Sequence, residues 1–294
     1  MAARDEIAAR LRGFQDQVSA GIERLDGSAK LREDSWERPG GGGGRSRILE
    51  GGAVLERAGV NFSEVFGELP DEVGKSLPGS GRKFYATGTS IVIHPRNPLA
   101  PTVHANYRYF ERGDGETFWF GGGADLTPSY LFAEDARHFH ATLKGACDLH
   151  DPAYFPRFKK WCDEYFFLKH RGEARGVGGI FFDHLQGDRG ALEPFVFSCA
   201  DAFLPSYVPI VERRRDLPFT EAQRQFQLYR RGRYVEFNLV WDKGTTFGLK
   251  TGGRIESILM SMPPLARWEY DFEPLPGSEE AKLFDVLRHP REWV

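Results

Sequence analysis

The chain has 294 residues, 40% of them hydrophobic, enough for one large domain or two ordinary ones. Lys and Arg total 39 against 42 Asp and Glu, so no global positive field marks a nucleic-acid or membrane-surface binder, and any anion site must be local. No stretch approaches the ~20 apolar residues of a membrane span, and the acidic start (Asp5, Glu6, Asp16) disfavours a secretory or transit peptide, so the expected location is the cytoplasm.

Ile7, Leu11, Phe14, Val18, Ile22 and Leu25 repeat at spacings of four and three, which predicts an amphipathic packing helix within residues 1–30. Gly40 to Gly44, in a Gly-rich segment at 38–52, predict a mobile loop; neither they nor Gly51-Gly52 lead into a phosphate-binding pattern. FYATGTSIVIH, TVHANYRYFE and ETFWFGG then read as three strands joined by PRNP and RGDG, an antiparallel meander. Thr127-Pro128 and Asp151-Pro152 predict helix starts, for helices through roughly 128–149 and 152–171, the second stopped by Gly172. VGGIFFDHL reads as a strand, and LEPFVFSCADAFLPSYVPIVERRRD as proline-interrupted helix. Thr220 with Gln223 forms a capping box for a helix ending near Gly232, RYVEFNLVWD reads as another strand, and SEEAKLFDVLRHPREWV closes with a short helix. Cys147, Cys162 and Cys199 are isolated, the pattern of buried thiols rather than of a disulfide framework or metal cluster. With no repeat or clear linker, residues 1–294 are expected to form a single α+β domain, a large and mainly antiparallel sheet with helices packed on it.

Side chains alternate along a strand with period 2. In PTVHANYRYFER one face therefore carries Val103, Ala105, Tyr107 and Tyr109, and the other Thr102, His104, Asn106, Arg108 and Phe110. Ser90, Val92 and His94 share a face of the preceding strand, and Glu236, Asn238 and Asp242 a face of YVEFNLVWD. A solvent-facing surface explains such polar faces as readily as a site does. The residue types nevertheless suit small-molecule chemistry: Arg108 can grip a carboxylate bidentately, and a histidine can carry a proton near neutral pH. Gly252-Gly253-Arg254 is either a turn or a place where backbone and guanidinium approach an anion. His138 and His140 point to different sides of a helix, and no HExxH motif occurs, so spacing favours structural histidines over a metal site.

Longer motifs carry more. KKWCDEYFFLKHRGEARGVGGIFFD (159–183), HANYRYFE, GGGADLTP, YVEFNLVWDKGTTFGL and TGGRIESILMSMPPLARWEY together resemble the oxygen-dependent coproporphyrinogen III oxidase family over nearly the whole chain after residue 40. The resemblance implies an antiparallel sheet flanked by helices on both faces and a homodimer with an interface including Tyr234 to Glu269. The activity it implies is oxidative decarboxylation of two propionates of coproporphyrinogen III to vinyl groups, with dioxygen as oxidant and no organic cofactor. It further implies His104 as proton donor and Asp242 as partner of the pyrrole N–H groups. Ser90, Asn106, Tyr107, Arg108, Gly252, Gly253 and Arg254 become substrate contacts, and His94, His104, His140 and His170 match positions sometimes assigned to a divalent metal. Lys243 stands where the family commonly has Arg, a point charge in place of a planar fork. A porphyrin-binding protein without turnover and a histidine-metal oxygenase are the alternatives.

Overall fold

The computed structural model describes residues 3–75, 77–113, 115, 117–250 and 252–294. Asp114 of the expected RGDG turn, Glu116 and Thr251 of TGGR lie outside the described residues. The N-terminal stripe forms α1 (Ala3–Asp26), with all six apolar positions buried. There follow β1 (Arg32–Glu37), β2 (Gly42–Glu50), β3 (Leu55–Glu68), the one-turn α2 (Asp71–Gly74), β4 (Lys83–Pro95), β5 (Thr102–Arg112) and β6 (Thr117–Thr127). Helices α3 (Ala133–Asp148) and α4 (Tyr154–Tyr165) and a short ribbon, β7 (Phe167–Leu168) with β8 (Glu173–Ala174), lead to β9 (Gly178–Leu185). The chain ends with α5 (Arg189–Asp201), α6 (Phe203–Arg214), α7 (Glu221–Glu236), a π-helix (Phe237–Trp241), α8 (Lys243–Lys250), α9 (Ile255–Leu259) and α10 (Glu279–Arg288).

Seven strands pair antiparallel in the order β1-β2-β3-β4-β5-β6-β9, so the expected meander is the centre of a large sheet and the fold class is α+β. Helices α1, α3, α5 and α6 share one apolar core with the sheet face that carries Val60, Ile91, Val103, Ala105 and Tyr107. The opposite face carries His104, Asn106 and Arg108, and residues 241–250 and 252–261 lie over it.

Several expectations need correction. The Gly-rich loop at 38–52 is mostly strand β2, because Gly44 is needed for close packing: a Cβ there would lie 2.3 Å from the Trp36 ring. RYVEFNLVWD is not a strand but the end of α7 and the π-helix. Its β-branched and aromatic residues mimic a strand, yet the buried positions Phe226, Arg230, Tyr234 and Phe237 recur at spacings of four, four and three, a helical face whose second member is a cation. The capping box at Thr220 and Gln223 is present, but Gly232 does not end the helix; a Cβ there would meet the Arg267 carbonyl at 2.5 Å. Helix α3 begins at Ala133 rather than after Thr127, which ends β6. Helix α4 begins at Tyr154 and stops at Tyr165, and Gly172, at φ +65°, lies in the β7–β8 turn. Residues 189–214 are long and apolar enough by composition to cross a membrane; their side chains Phe195, Cys199, Phe203, Tyr207, Ile210 and Val211 instead fill the core.

Candidate active site

Arg108 lies between two glycines, opposite Gly88 on β4 and Gly121 on β6. A Cβ on Gly121 would sit 2.6 Å from the guanidinium, so this glycine lets Arg108 lie flat over the sheet. The guanidinium donates to Asn106 Oδ1 at 2.6 Å and pairs with Asp183 on β9 at 2.9 Å. His184 holds φ +47° and donates its backbone N–H to Asp183 at 2.9 Å. Burial raises the Asp183 pKa, but Arg108 and His184 outweigh it and hold the carboxyl below its usual range.

Two same-face positions along β5 from Arg108, beyond Asn106, His104 lies opposite Asp125 of β6 and donates Nδ1–H to Asp125 Oδ1 at 2.9 Å. Asp125 is buried and receives Arg175 Nη2 at 2.8 Å on both oxygens. The same guanidinium donates to Asn238 Oδ1 at 2.7 Å and is enclosed by the rings of Phe166, Tyr234 and Phe237 at 4.2, 4.5 and 4.7 Å. Burial pushes the Asp125 carboxyl upward; the charge of Arg175 and the bond from His104 reverse this, leaving it below its usual range. An ionised Asp125 therefore fixes the imidazole tautomer and turns Nε2 to the cavity that His104 lines.

Ser90 and Asn106 belong to a polar row that runs straight across the sheet. Asp34 of β1 is opposite Ser46, Ser46 opposite Asn61, Asn61 opposite Ser90, and Ser90 opposite Asn106. Four strand spacings of about 4.8 Å make the row roughly 19 Å long. At its far end Arg254, the residue before α9, is ion-paired to Asp34. Ser257 in α9 bonds Ser46 at 2.7 Å and helps hold the segment down. Gly253 N–H donates to Gly248 O at 2.7 Å, so the Gly252-Gly253 pair closes α8 and turns the chain toward Arg254.

Asp242 also lines the cavity. One oxygen accepts from Tyr165 at 2.9 Å and the other from the Thr245 N–H and hydroxyl at 2.8 Å each, so it caps α8 as well as facing the site. The Tyr107 side chain faces away from the site, as the alternation of β5 predicts: it is buried on the helical side and its hydroxyl donates to Cys199 O at 2.8 Å, so the contact that the resemblance implies for Tyr107 could be made only by its backbone.

The four histidines matched to a metal do not come together. His94 bonds Ser261 O at 2.9 Å and Thr102 Oγ1 at 3.3 Å, and His104 bonds Asp125. His140, on α3 in the opposite layer, bonds Val177 O at 3.0 Å. His170 lies between Glu236 Oε2 at 2.8 Å and Trp241 Nε1 at 2.9 Å. Among the described residues no three His, Cys, Asp or Glu side chains are grouped to hold a metal. This donor set does not fit a shared divalent ion.

Asp125, Arg175 and Asp183 fall inside the motifs that carry the resemblance, and Asp34 does not, but sequence alone assigns none of the four a place in the site. Asp125 had one local signal, the only charge in the small-residue run GGGADLT; the others are defined by register and long-range packing.

The cavity measures about 1320 Å³, larger than the usual ~300–1,000 Å³ of a drug-sized site, and adds the aromatic rings of Trp119, Tyr165, Phe181 and Trp241 to its polar floor. An imidazole at the cavity wall backed by a buried carboxylate–guanidinium pair, two further arginines and aromatic walls define an enzyme-type pocket with room for a large, ring-bearing molecule. Comparison with known proteins gives the family. Residues 6–293 match the family described as coproporphyrinogen III oxidase. The chain is 55% identical over 299 residues to the chloroplastic oxygen-dependent coproporphyrinogen-III oxidase of Glycine max, covering 97% of this chain and 78% of that protein. It is 53% identical over 318 residues to the oxygen-dependent coproporphyrinogen-III oxidase of Prochlorococcus marinus, covering 99% and 92%. The chain belongs to the coproporphyrinogen III oxidase family.

Proposed function

We propose that this chain catalyses the oxygen-dependent oxidative decarboxylation of coproporphyrinogen III in haem synthesis, converting two propionates to vinyl groups and giving protoporphyrinogen IX. The observation that carries the reading is the His104–Asp125–Arg175 line opening into a cavity of about 1320 Å³ flanked by Arg108 and Arg254, in a chain of this family. For each propionate held as a carboxylate, a C–H bond at the β-carbon and the bond to the carboxylate break, and a C=C bond forms. Carbon dioxide leaves, and two electrons pass to dioxygen. Hydrogen peroxide needs two protons; the β-carbon supplies one and the other must come from the protein. His104 Nε2 is the donor in this reading, re-protonated from solvent between turnovers. Dioxygen adds to an electron-rich pyrrole carbon, and the resulting peroxide, or a nearby group, takes the β-proton. Arg108 and Arg254 hold propionates, Ser90 and Asn106 line the floor, and Asp242 accepts from pyrrole N–H groups with the lone pairs left after capping α8.

No organic cofactor enters this scheme. We also propose a homodimer through residues 234–269 in the cytoplasm; Leu239, Val240, Ile255, Leu265 and Trp268 expose between 52% and 59% of their surface in that segment, a density of exposed apolar side chains that favours a partner. The test is incubation with coproporphyrinogen III in air and under argon. Oxygen-dependent release of two carbon dioxide molecules per substrate is expected, retained in purified protein shown to be metal-free. Porphyrin binding without release would favour a binding protein, and loss of activity on chelation a metal oxygenase.

A further inference from the structure

Each arginine assigned to a propionate is already held by an aspartate of the protein, Arg108 by Asp183 and Arg254 by Asp34, one pair at each end of the polar row. The two pairs differ in setting. Asp183 is reinforced by the His184 N–H and belongs to the packed β9 side of the cavity. Asp34 lies on β1, the edge strand, its partner Arg254 lines the cavity, and both side chains of the pair are 30% exposed. Arg254 is tied through one nitrogen, leaving other donors of its five free to turn to a ligand. A carboxylate approaching this pair meets the aspartate's negative charge together with the guanidinium, so the attraction of Arg254 is largely cancelled at the distance where capture begins.

We infer that Asp34 is a selectivity residue of the decarboxylation site, an internal carboxylate that occupies Arg254 until a substrate propionate displaces it. The inference rests on the functional reading above. It makes binding an ion-pair exchange: a propionate gains Arg254 only as Asp34 gives it up to solvent, which a molecule anchored by several carboxylates achieves more readily than one held by a single charge. It also gives the guanidinium a partner at every stage. Whether a propionate leaves intact or is lost as carbon dioxide, Arg254 returns to Asp34 rather than facing the aromatic cavity unpaired.

The probe is coproporphyrin III, the oxidised tetracarboxylate, whose fluorescence reports binding without turnover. Asp34→Asn is expected to bind it about two- to fivefold more tightly than the wild type, the range for release of one part-exposed ion pair. KM for coproporphyrinogen III should fall in parallel. Arg254→Gln should weaken binding, and the double variant Asp34→Asn/Arg254→Gln should bind more weakly than Asp34→Asn alone. A supporting role for Asp34 would instead give weaker or unchanged binding in Asp34→Asn, with a lower Tm, and would overturn the inference. Asp34→Ser takes the place of Asp34→Asn if the latter does not fold; tighter binding then supports the exchange, and weaker or unchanged binding refutes it. Failure of the wild type to bind coproporphyrin III or turn over coproporphyrinogen III would refute the functional reading itself, a distinct result.

Discussion

Tyr107 and Arg108 are neighbours in sequence and face opposite sides of one strand. On the Tyr107 side, helices bury everything, and the hydroxyl finds a backbone carbonyl in α5. On the Arg108 side, the covering residues 241–250 and 252–261 touch the sheet near its far edge, where Ser257 bonds Ser46, and leave the cavity over its centre. A half-polar strand thus becomes a site because its polar face is roofed at a distance rather than packed or left to solvent. The two faces should respond to substitution in different currencies, stability on one and turnover or affinity on the other.

The largest departure from that division is expected at Asp125, which serves both. Asp125→Asn leaves the buried Arg175 charge without its counterion, at a cost of about 3–5 kcal/mol in urea unfolding, and removes the carboxylate that orients His104, so kcat falls as well. A stable protein with reduced kcat would show that Asp125 acts on the reaction alone.

The buried histidines contrast with His104 in the cavity. Burial, reinforced at His94 by the charge of Arg231, pushes the pKa values of His94 and His140 down to about 3. Both stay neutral in the fold and protonate in the unfolded chain below about 6.5. Stability is therefore full above that pH and falls as pH drops toward 3, by about 1.4 kcal/mol per pH unit for each ring. His140→Gln, which can still donate to Val177 O, should remove about half of that slope between pH 6 and 5; an unchanged slope would mean that the His140 ring is charged in the fold.

Tyr107→Phe should cost about 1 kcal/mol in unfolding free energy, the worth of one buried hydrogen bond, with kcat and KM unchanged. A change in KM would return Tyr107 to the substrate. The smallest effect is expected for Gly121→Ala, which crowds Arg108 by one methyl group. A several-fold rise in KM at constant kcat would place Arg108 in propionate binding, whereas an unchanged KM would remove it.

Periodicity made the stripe of α1 and the alternation of β5 legible, because both are local and repeat many times. It misread RYVEFNLVWD because the helical face there includes Arg230, a cation held inside by Glu173 at 2.7 Å, which no hydrophobic pattern reveals. Glycines misled twice for one reason: at Gly44 and Gly232 the residue marks close packing against Trp36 and Arg267, not a loop or a stop. Motif resemblance reached His104, Arg108 and Arg254. Their partners Asp125, Asp183 and Asp34 depend on strand register and tertiary approach across 21, 75 and 220 positions, which lie beyond any local window.

The central claim is that the polar face performs chemistry and does not merely hold a porphyrin. Steady-state turnover of coproporphyrinogen III by His104→Ala, set beside its affinity for coproporphyrin III, tests this most directly. The account predicts a kcat about 10²–10⁴-fold below the wild type, the usual worth of a positioned general acid, with coproporphyrin III affinity within about threefold of the wild type. A kcat equal to the wild type, or a loss confined to affinity, would contradict it.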